Sequence, residues 1–276
     1  MKSKQKYGLI GFPITHSLSP VLFRAGFNGL YSYDLIEGDD FEQSFKCFLE
    51  EYDAVNVTAP FKELAYSKAD ITSPECKAIG ACNILIKRPD AIWAENTDIT
   101  AIIKCLLPYQ TAGSLAPLAL VVGCGGAGKA AAYAACQLGY QVIILNRTLS
   151  KAEEFAAHLS HIDNRNNVSA RPLDEFGKWF RKAGIIIYTA PTQIDQIDNL
   201  KSSDIRGGII GHSPKIILEA NYKDPTFTES RLKTLMAQNP KICYINGKEW
   251  LLEQAVEAFY IFTGSEPNIQ EMVKVL

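Results

Sequence analysis

Residues 118–148 carry the clearest chemistry in this chain. An apolar run, Leu118 to Val122, leads into Gly123-Cys124-Gly125-Gly126-Ala127-Gly128 and an Ala-rich stretch, and a second apolar run, Val142 to Leu145, ends in Asn146-Arg147-Thr148. Strand, tight turn, helix and strand in that order are the context in which a glycine turn binds the pyrophosphate of a dinucleotide. Gly123 permits the turn, Gly125 lets backbone approach the anion, and Gly128 lets helix and strand pack closely. The free N–H groups of the helix start, around Gly126 and Ala127, then face the negative charge. The end of the second strand distinguishes the two nicotinamide cofactors, because an acid there hydrogen-bonds the ribose 2′-hydroxyl of NAD. Asn146, Arg147 and Thr148 include no acid, and Arg147 can stack on adenine and pair with a 2′-phosphate. NADP(H) is therefore the expected cofactor.

Four further segments set polar and small residues where a plain core would not need them. In Gly11-Phe12-Pro13-Ile14-Thr15-His16-Ser17-Leu18-Ser19-Pro20, the hydroxyls of Ser17 and Ser19 lie beside a helix start and suit a substrate carboxylate. Ser19 would equally serve as the N-cap of that helix, with Pro20 at its first position. In Asn56-Val57-Thr58-Ala59-Pro60-Phe61-Lys62, strand alternation puts Asn56 and Thr58 on one face and the following turn brings Lys62 towards the strand's end. Gly80-Ala81-Cys82-Asn83 and Glu95-Asn96-Thr97-Asp98 complete the set. Taken singly, each has an ordinary structural explanation.

The elements that must position these residues form two α/β parts. In the first hundred residues, Tyr7 to Gly11 and Tyr52 to Thr58 read as strands, with helices after Ser19 and near Phe61. Gly80 to Lys87 and Ala91 to Glu95 read as a strand pair across Arg88-Pro89-Asp90. A connecting helix is expected over Thr100 to Leu107, then a loop from Pro108 to Pro117. Gly184 to Ala190 and Lys215 to Asn221 are dense in Ile and Leu, as buried parallel strands are, and Thr192 to Pro214 reads as a loop or irregular helix. Glu249 to Phe262 spaces its apolar residues as an amphipathic helix.

Composition narrows the class. A chain of 276 residues with 47% hydrophobic and 21% charged residues is ordinary for a globular protein of one or two domains. The net charge of −2 offers no footprint for nucleic acid or an anionic membrane. No apolar run reaches membrane-spanning length, and Met1 to Lys6 is too polar for a signal peptide. Seven cysteines without a Cys-x-x-Cys pair read as reduced thiols of a cytoplasmic protein. His158 and His161 lack the neighbours of a zinc site, so no metal is expected.

In this order along nearly the whole chain, His-Ser-Leu-Ser-Pro, Asn-Val-Thr-x-Pro-x-Lys, Gly-Ala-x-Asn, Asn-Thr-Asp, the glycine turn with Asn-Arg-Thr, and Gly247 to Gln254 resemble the shikimate dehydrogenase family. The resemblance implies an N-terminal α/β substrate domain (1–100, completed by a returning helical segment, 246–276) and a doubly wound Rossmann-type NADP domain (101–245). It implies NADPH-dependent reduction of 3-dehydroshikimate to shikimate on the route to aromatic amino acids, with Lys62 and Asp98 as the catalytic pair. Ser17 and Ser19 would hold the substrate carboxylate, and Asn56, Thr58, Asn83 and Gln254 its ring hydroxyls. Tyr222 would lie beside substrate and nicotinamide; Asn146, Arg147 and Thr148 would take the 2′-phosphate; and Gly247 would join the cofactor site. A cleft between domains, hinge closure, and a monomer or homodimer are expected. The chain departs from the family's pattern in Phe23-Arg24 for His-Asn, Ile84 for Thr, Ala94 for Gly, Glu219 for Asp, Leu251 for Met, and a Tyr188-Thr189-Ala190-Pro191 loop without its following Gly-Met. None of these removes a residue assigned to chemistry. The alternatives are a quinate/shikimate dehydrogenase using NAD, and a non-catalytic NADP-binding sensor of the same fold.

Overall fold

The computed structural model describes residues 5–110, 117–163, 167–207 and 212–276. The chain divides into two compact units, Met1–Ala101 with Leu251–Leu276, and Ile102–Trp250.

The first unit is built on a mixed six-stranded sheet: β1 (Lys6–Gly11), β2 (Ser32–Glu37), β3 (Ala54–Val57), β4 (Ile71–Thr72), β5 (Ile84–Lys87) and β6 (Ile92–Glu95), in the spatial order β2-β1-β3-β5-β6-β4. β2, β1 and β3 run parallel, whereas β5 joins β3 and β6 antiparallel. One core gathers Ile10, Phe41, Phe48, Val55, Phe61 and Leu85. A second, aromatic cluster unites distant parts of the chain. Tyr7 stacks on Phe262 at 5.2 Å and donates its hydroxyl to the Phe262 carbonyl (2.9 Å), while Phe23 meets Phe259 edge-on at 4.6 Å. Such pairs add about 1 kcal/mol each beyond their buried area, which fixes helix Gly247–Thr263 to this unit by its C-terminal half.

Local sequence explains where several elements begin. Gly80 does not open a strand: it sits at φ +62° and caps helix Pro74–Ile79, whose start is held by Ser73 Oγ accepting from the Cys76 N–H (3.2 Å). The strand pair therefore begins at Ile84. Ser19 is not an N-cap either, since helix Ser19–Gly26 starts at Ser19 behind Leu18, with no side-chain cap. The connecting helix is Thr97–Leu106, longer at its start than expected, because Asn96 Oδ1 accepts from the Asp98 N–H (3.0 Å).

The second unit is a parallel sheet of β7 (Leu118–Val122), β8 (Gln141–Leu145), β9 (Val168–Arg171), β10 (Ile185–Tyr188), β11 (Lys215–Glu219) and β12 (Ile242–Ile245). Its order, β12-β11-β10-β7-β8-β9, is that of a doubly wound Rossmann sheet, reversing between β10 and β7. β7, β10 and β11 are buried along their whole length, which is why they read as continuous apolar runs. Alanines on helix Gly126–Gln137 let it lie close to the sheet, with Ala130, Ala131, Ala132, Ala134 and Ala135 buried. Within Thr192 to Pro214 the chain forms a 3-10 turn, Asp195–Ile197, and a helix, Ser202–Arg206. Residues 208–211, like 111–116 of the expected Pro108 to Pro117 loop, lie outside the described residues. No helix among the described residues is long and apolar enough to cross a membrane, and all seven cysteines are free.

β11 opens on Lys215, which is fully buried. Its Nζ donates to the carbonyls of Phe180 (2.6 Å), Arg181 (3.1 Å) and Ala183 (2.9 Å), satisfying acceptors that the end of helix Phe176–Lys182 leaves unpaired. Burial pushes the Lys215 ammonium from 10.5 down to about 8. Between those two values the unfolded chain holds more protons on this group than the folded one, so its contribution to stability grows as pH rises through the window. The unfolding free energy of wild type minus that of Lys215→Met, read from urea titrations, should increase by up to about 3 kcal/mol from roughly pH 7.5 to pH 10.5. A difference that is flat or falls with pH would contradict this account.

Candidate active site

In the first unit, the residues singled out from sequence converge through hydrogen bonds. Lys62, first residue of helix Lys62–Ser67, donates from Nζ to Asp98 Oδ2 at 2.5 Å. The side chains are 12% and 4% exposed, so the pair is shielded from water while the amine keeps some access. Asp98 lies in the first turn of Thr97–Leu106, where helix N–H groups favour its negative charge. The backbone N–H of Cys82 donates to the Lys62 carbonyl (3.0 Å), and burial pushes the Cys82 thiol well up, leaving it neutral beside the ion pair.

Asn83 links this pair to the other polar residues. Its Oδ1 accepts from the Thr97 N–H (2.9 Å), and its Nδ2 donates to Thr97 Oγ1 (3.0 Å) and Gln254 Oε1 (3.1 Å). Asn56 Nδ2 donates to the Asn83 carbonyl (3.4 Å). Ser17 Oγ donates to Ser19 Oγ (3.2 Å) and accepts from the Ser19 N–H (3.2 Å), which is where the Ser19 region spends the polar capacity expected of a cap. Thr58 follows β3, its N–H on the Ile10 carbonyl (2.9 Å) and its methyl against Gly11, where any Cβ would collide with it.

The second unit holds the glycine turn at the reversal of strand order, where such sheets bind ligands. Gly123 has φ +108° and donates its N–H to Leu145 O (2.8 Å); a Cβ there would meet Thr189 Oγ1 at 2.6 Å. Thr189, at the end of β10, also donates its hydroxyl to Val122 O (2.8 Å), clamping the two strand ends. A Cβ at Gly128 would collide with the Gly123 carbonyl, whereas one at Gly125 would project into open space. Helix Gly126–Gln137 has no side-chain cap, so the N–H groups of Gly126, Ala127 and Gly128 remain for an anion. Asn146 Nδ2 donates to the Thr148 carbonyl (2.9 Å), shaping a turn from which Arg147 and Thr148 are exposed. These residues fit a dinucleotide: an open backbone approach, free helix N–H groups, an exposed cation and no acid at the end of β8.

Tyr222 belongs to this second unit, in the loop after β11. Gly247 is buried against the backbone of Glu219 and Ala220, leaving no room for a side chain. Glu219 is fully buried and holds that loop, accepting from the N–H groups of Thr226 (2.5 Å) and Phe227 (3.2 Å) and from the Tyr244 hydroxyl (2.8 Å). Burial, reinforced by the Glu219 charge, pushes the Tyr244 phenol up. Sequence reading noted Glu219 only as a departure from a pattern and did not single out Thr97, Thr189 or Tyr33. Tyr33 donates to Asn56 Oδ1 at 2.8 Å.

The Rossmann order with its glycine turn, together with a unit carrying a shielded Lys–Asp pair among amides and hydroxyls, defines a dinucleotide-dependent oxidoreductase. Residues 9–85 match the family model of the shikimate dehydrogenase substrate binding domain, 111–205 that of shikimate / quinate 5-dehydrogenase, and 251–276 that of the shikimate 5′-dehydrogenase C-terminal domain. The chain is 30% identical to the shikimate dehydrogenase (NADP(+)) of Legionella pneumophila, over 99% of this chain and 98% of that one. Among solved structures, the Thermus thermophilus shikimate 5-dehydrogenase in complex with NADP(H) and shikimate superposes with a TM-score of 0.77 at 25% identity, covering 98% of each chain. A quinate dehydrogenase from Corynebacterium glutamicum in complex with NAD gives 0.79 at 22% identity, over 99% of this chain and 98% of that one, a likeness of fold alone. The chain belongs to the shikimate dehydrogenase family.

The glycine geometry separates packing from binding. Gly128→Ala should cost about 2 kcal/mol of stability, while Gly125→Val should keep the wild-type melting temperature and weaken NADPH binding by about tenfold or more. Thermal melts with and without NADPH, and fluorescence titration of the nucleotide, check both. Equal NADPH affinity for wild type and Gly125→Val would remove Gly125 from the binding surface.

Proposed function

We propose that this chain catalyses the reversible NADPH-dependent reduction of 3-dehydroshikimate to shikimate, with residues 1–100 and 246–276 as the substrate domain and 101–245 as the cofactor domain. The observation that carries the reading is the shielded Lys62–Asp98 pair, next in sequence to Thr97, which the Asn83 amide bonds along with Gln254; these amides and hydroxyls suit a polyhydroxylated ring acid. When bound, NADPH supplies the hydride. Lys62 delivers a proton to the alkoxide forming at the substrate carbonyl and stabilises its charge, and Asp98 holds the amine in place for that transfer. Ser17 and Ser19 bind the carboxylate; Asn56, Thr58, Asn83 and Gln254 bind the ring hydroxyls; Tyr222 lines the substrate and nicotinamide. Gly123, Gly125, Gly126, Ala127 and Gly128 cradle the pyrophosphate, Asn146, Arg147 and Thr148 take the 2′-phosphate, and Gly247 completes the cofactor site. Free thiols and the lack of a long apolar helix among the described residues suit a cytoplasmic enzyme, acting as monomer or homodimer.

The first test is absorbance-monitored oxidation of NADPH or NADH by 3-dehydroshikimate, with the oxidation of quinate by NADP+ or NAD+ run in parallel. Turnover favouring NADPH supports the assignment, whereas turnover of quinate with NAD alone would transfer it to the quinate reading. Lys62→Ala should lower kcat by about 10²- to 10⁴-fold with little change in substrate KM. A raised KM with intact kcat would make Lys62 a binding residue. Arg147→Ala should raise the KM for NADPH by roughly tenfold and leave that for NADH unchanged.

A further inference from the structure

Tyr33 occupies β2, a strand without a clear apolar alternation, yet its hydroxyl sits within the network of the first unit. It donates to Asn56 Oδ1 at 2.8 Å. With Asn56 on the Asn83 carbonyl, this makes one continuous chain from Tyr33 through Asn56 and Asn83 to Gln254. Burial pushes the Tyr33 phenol up, which keeps its proton in place as the donor at neutral pH. The ring itself is gripped by Phe23 at 4.8 Å and Phe259 at 5.9 Å, so replacing the hydroxyl by hydrogen leaves the packing intact.

We propose that Tyr33 is a positioning residue for substrate recognition: by occupying Asn56 Oδ1 it fixes the orientation of that amide, so that Asn56 meets the ligand as an N–H donor. A primary amide free to flip can offer either its oxygen or its nitrogen. Once Oδ1 holds the Tyr33 proton and one N–H reaches Asn83 O, the second N–H is the capacity left for a ligand, and it requires an acceptor such as a ring-hydroxyl or ketone oxygen. This inference rests on the dehydrogenase reading above for the identity of the ligand, and not for the orientation of the amide.

The test is Tyr33→Phe. Its KM for 3-dehydroshikimate should rise about tenfold, with a smaller change in kcat and none in the KM for NADPH. In an Asn56→Ala background the same substitution should add little, since coupled residues are non-additive. Independently of turnover, the Asn56 side-chain amide signal in NMR should shift and exchange faster with solvent in Tyr33→Phe. Wild-type turnover with an unchanged KM in the variant would overturn the proposal and leave the functional reading standing, as would a lowered melting temperature alone or a fall in kcat alone. An unaltered Asn56 amide signal would overturn it even if wild type turned over no 3-dehydroshikimate, an outcome that counts separately against the functional reading.

Discussion

A buried amide must find partners for both ends of its dipole, and in the first unit that requirement falls on Asn83. An unpaired buried donor or acceptor costs about 1–3 kcal/mol, and Asn83 is almost wholly enclosed. Its partners come from the start of Thr97–Leu106 and from Gln254, 171 residues further along the chain. Satisfying one side chain thus fixes where that helix begins, where Asp98 stands in its first turn, and which face the returning helix turns to the sheet. Lys62 is tied in from the other side through the Cys82 N–H. The ion pair is consequently held by backbone on both sides.

The second unit solves the same problem with charges. Glu219 at the C-terminal end of β11 and Lys215 at its start are both buried, and each is surrounded by hydrogen-bond partners of the opposite polarity. Three carbonyls surround the ammonium, while two N–H groups and a phenol surround the carboxylate. Fully partnered, such groups tie one conformation to the segments they contact; with a partner removed they become costly. At one end of β11 the fixed segment is the end of Phe176–Lys182, and at the other it is the loop that carries Tyr222.

Much of this was legible in the residues. Buried parallel strands announce themselves as Ile- and Val-rich runs, and the glycines at 123, 125 and 128 stand where turn, approach and packing require them. The polar segments of the first unit were equally visible, but their connections were not, because a hydrogen bond between residues 83 and 254 leaves no trace in local pattern. Tyr33 escaped notice because β2 alternates weakly and is defined by its pairing with β1. Helix Pro74–Ile79 was signalled by Ser73-Pro74 and Gly80, a brief cue beside the stronger apolar run at Ile84 to Ile86. Ser19-Pro20 misled in the opposite sense: the dipeptide reads as a cap, whereas the hydroxyl accepts from Ser17.

The aromatic cluster of Tyr7, Phe23, Phe259 and Phe262 has a consequence for the order in which the protein is made. A ribosome adding roughly 5–20 residues per second needs about 8–30 s to pass from the end of the first segment of unit one to the start of its second. Throughout that interval the nascent N-terminal sheet lacks Phe259 and Phe262, and Tyr7 and Phe23 wait with their faces uncovered. The second unit, continuous from Ile102 to Trp250, emerges in one piece in the meantime. Synthesis therefore favours completion of the middle of the chain before its beginning, and makes the exposed N-terminal aromatic surface a natural point of engagement for chaperones.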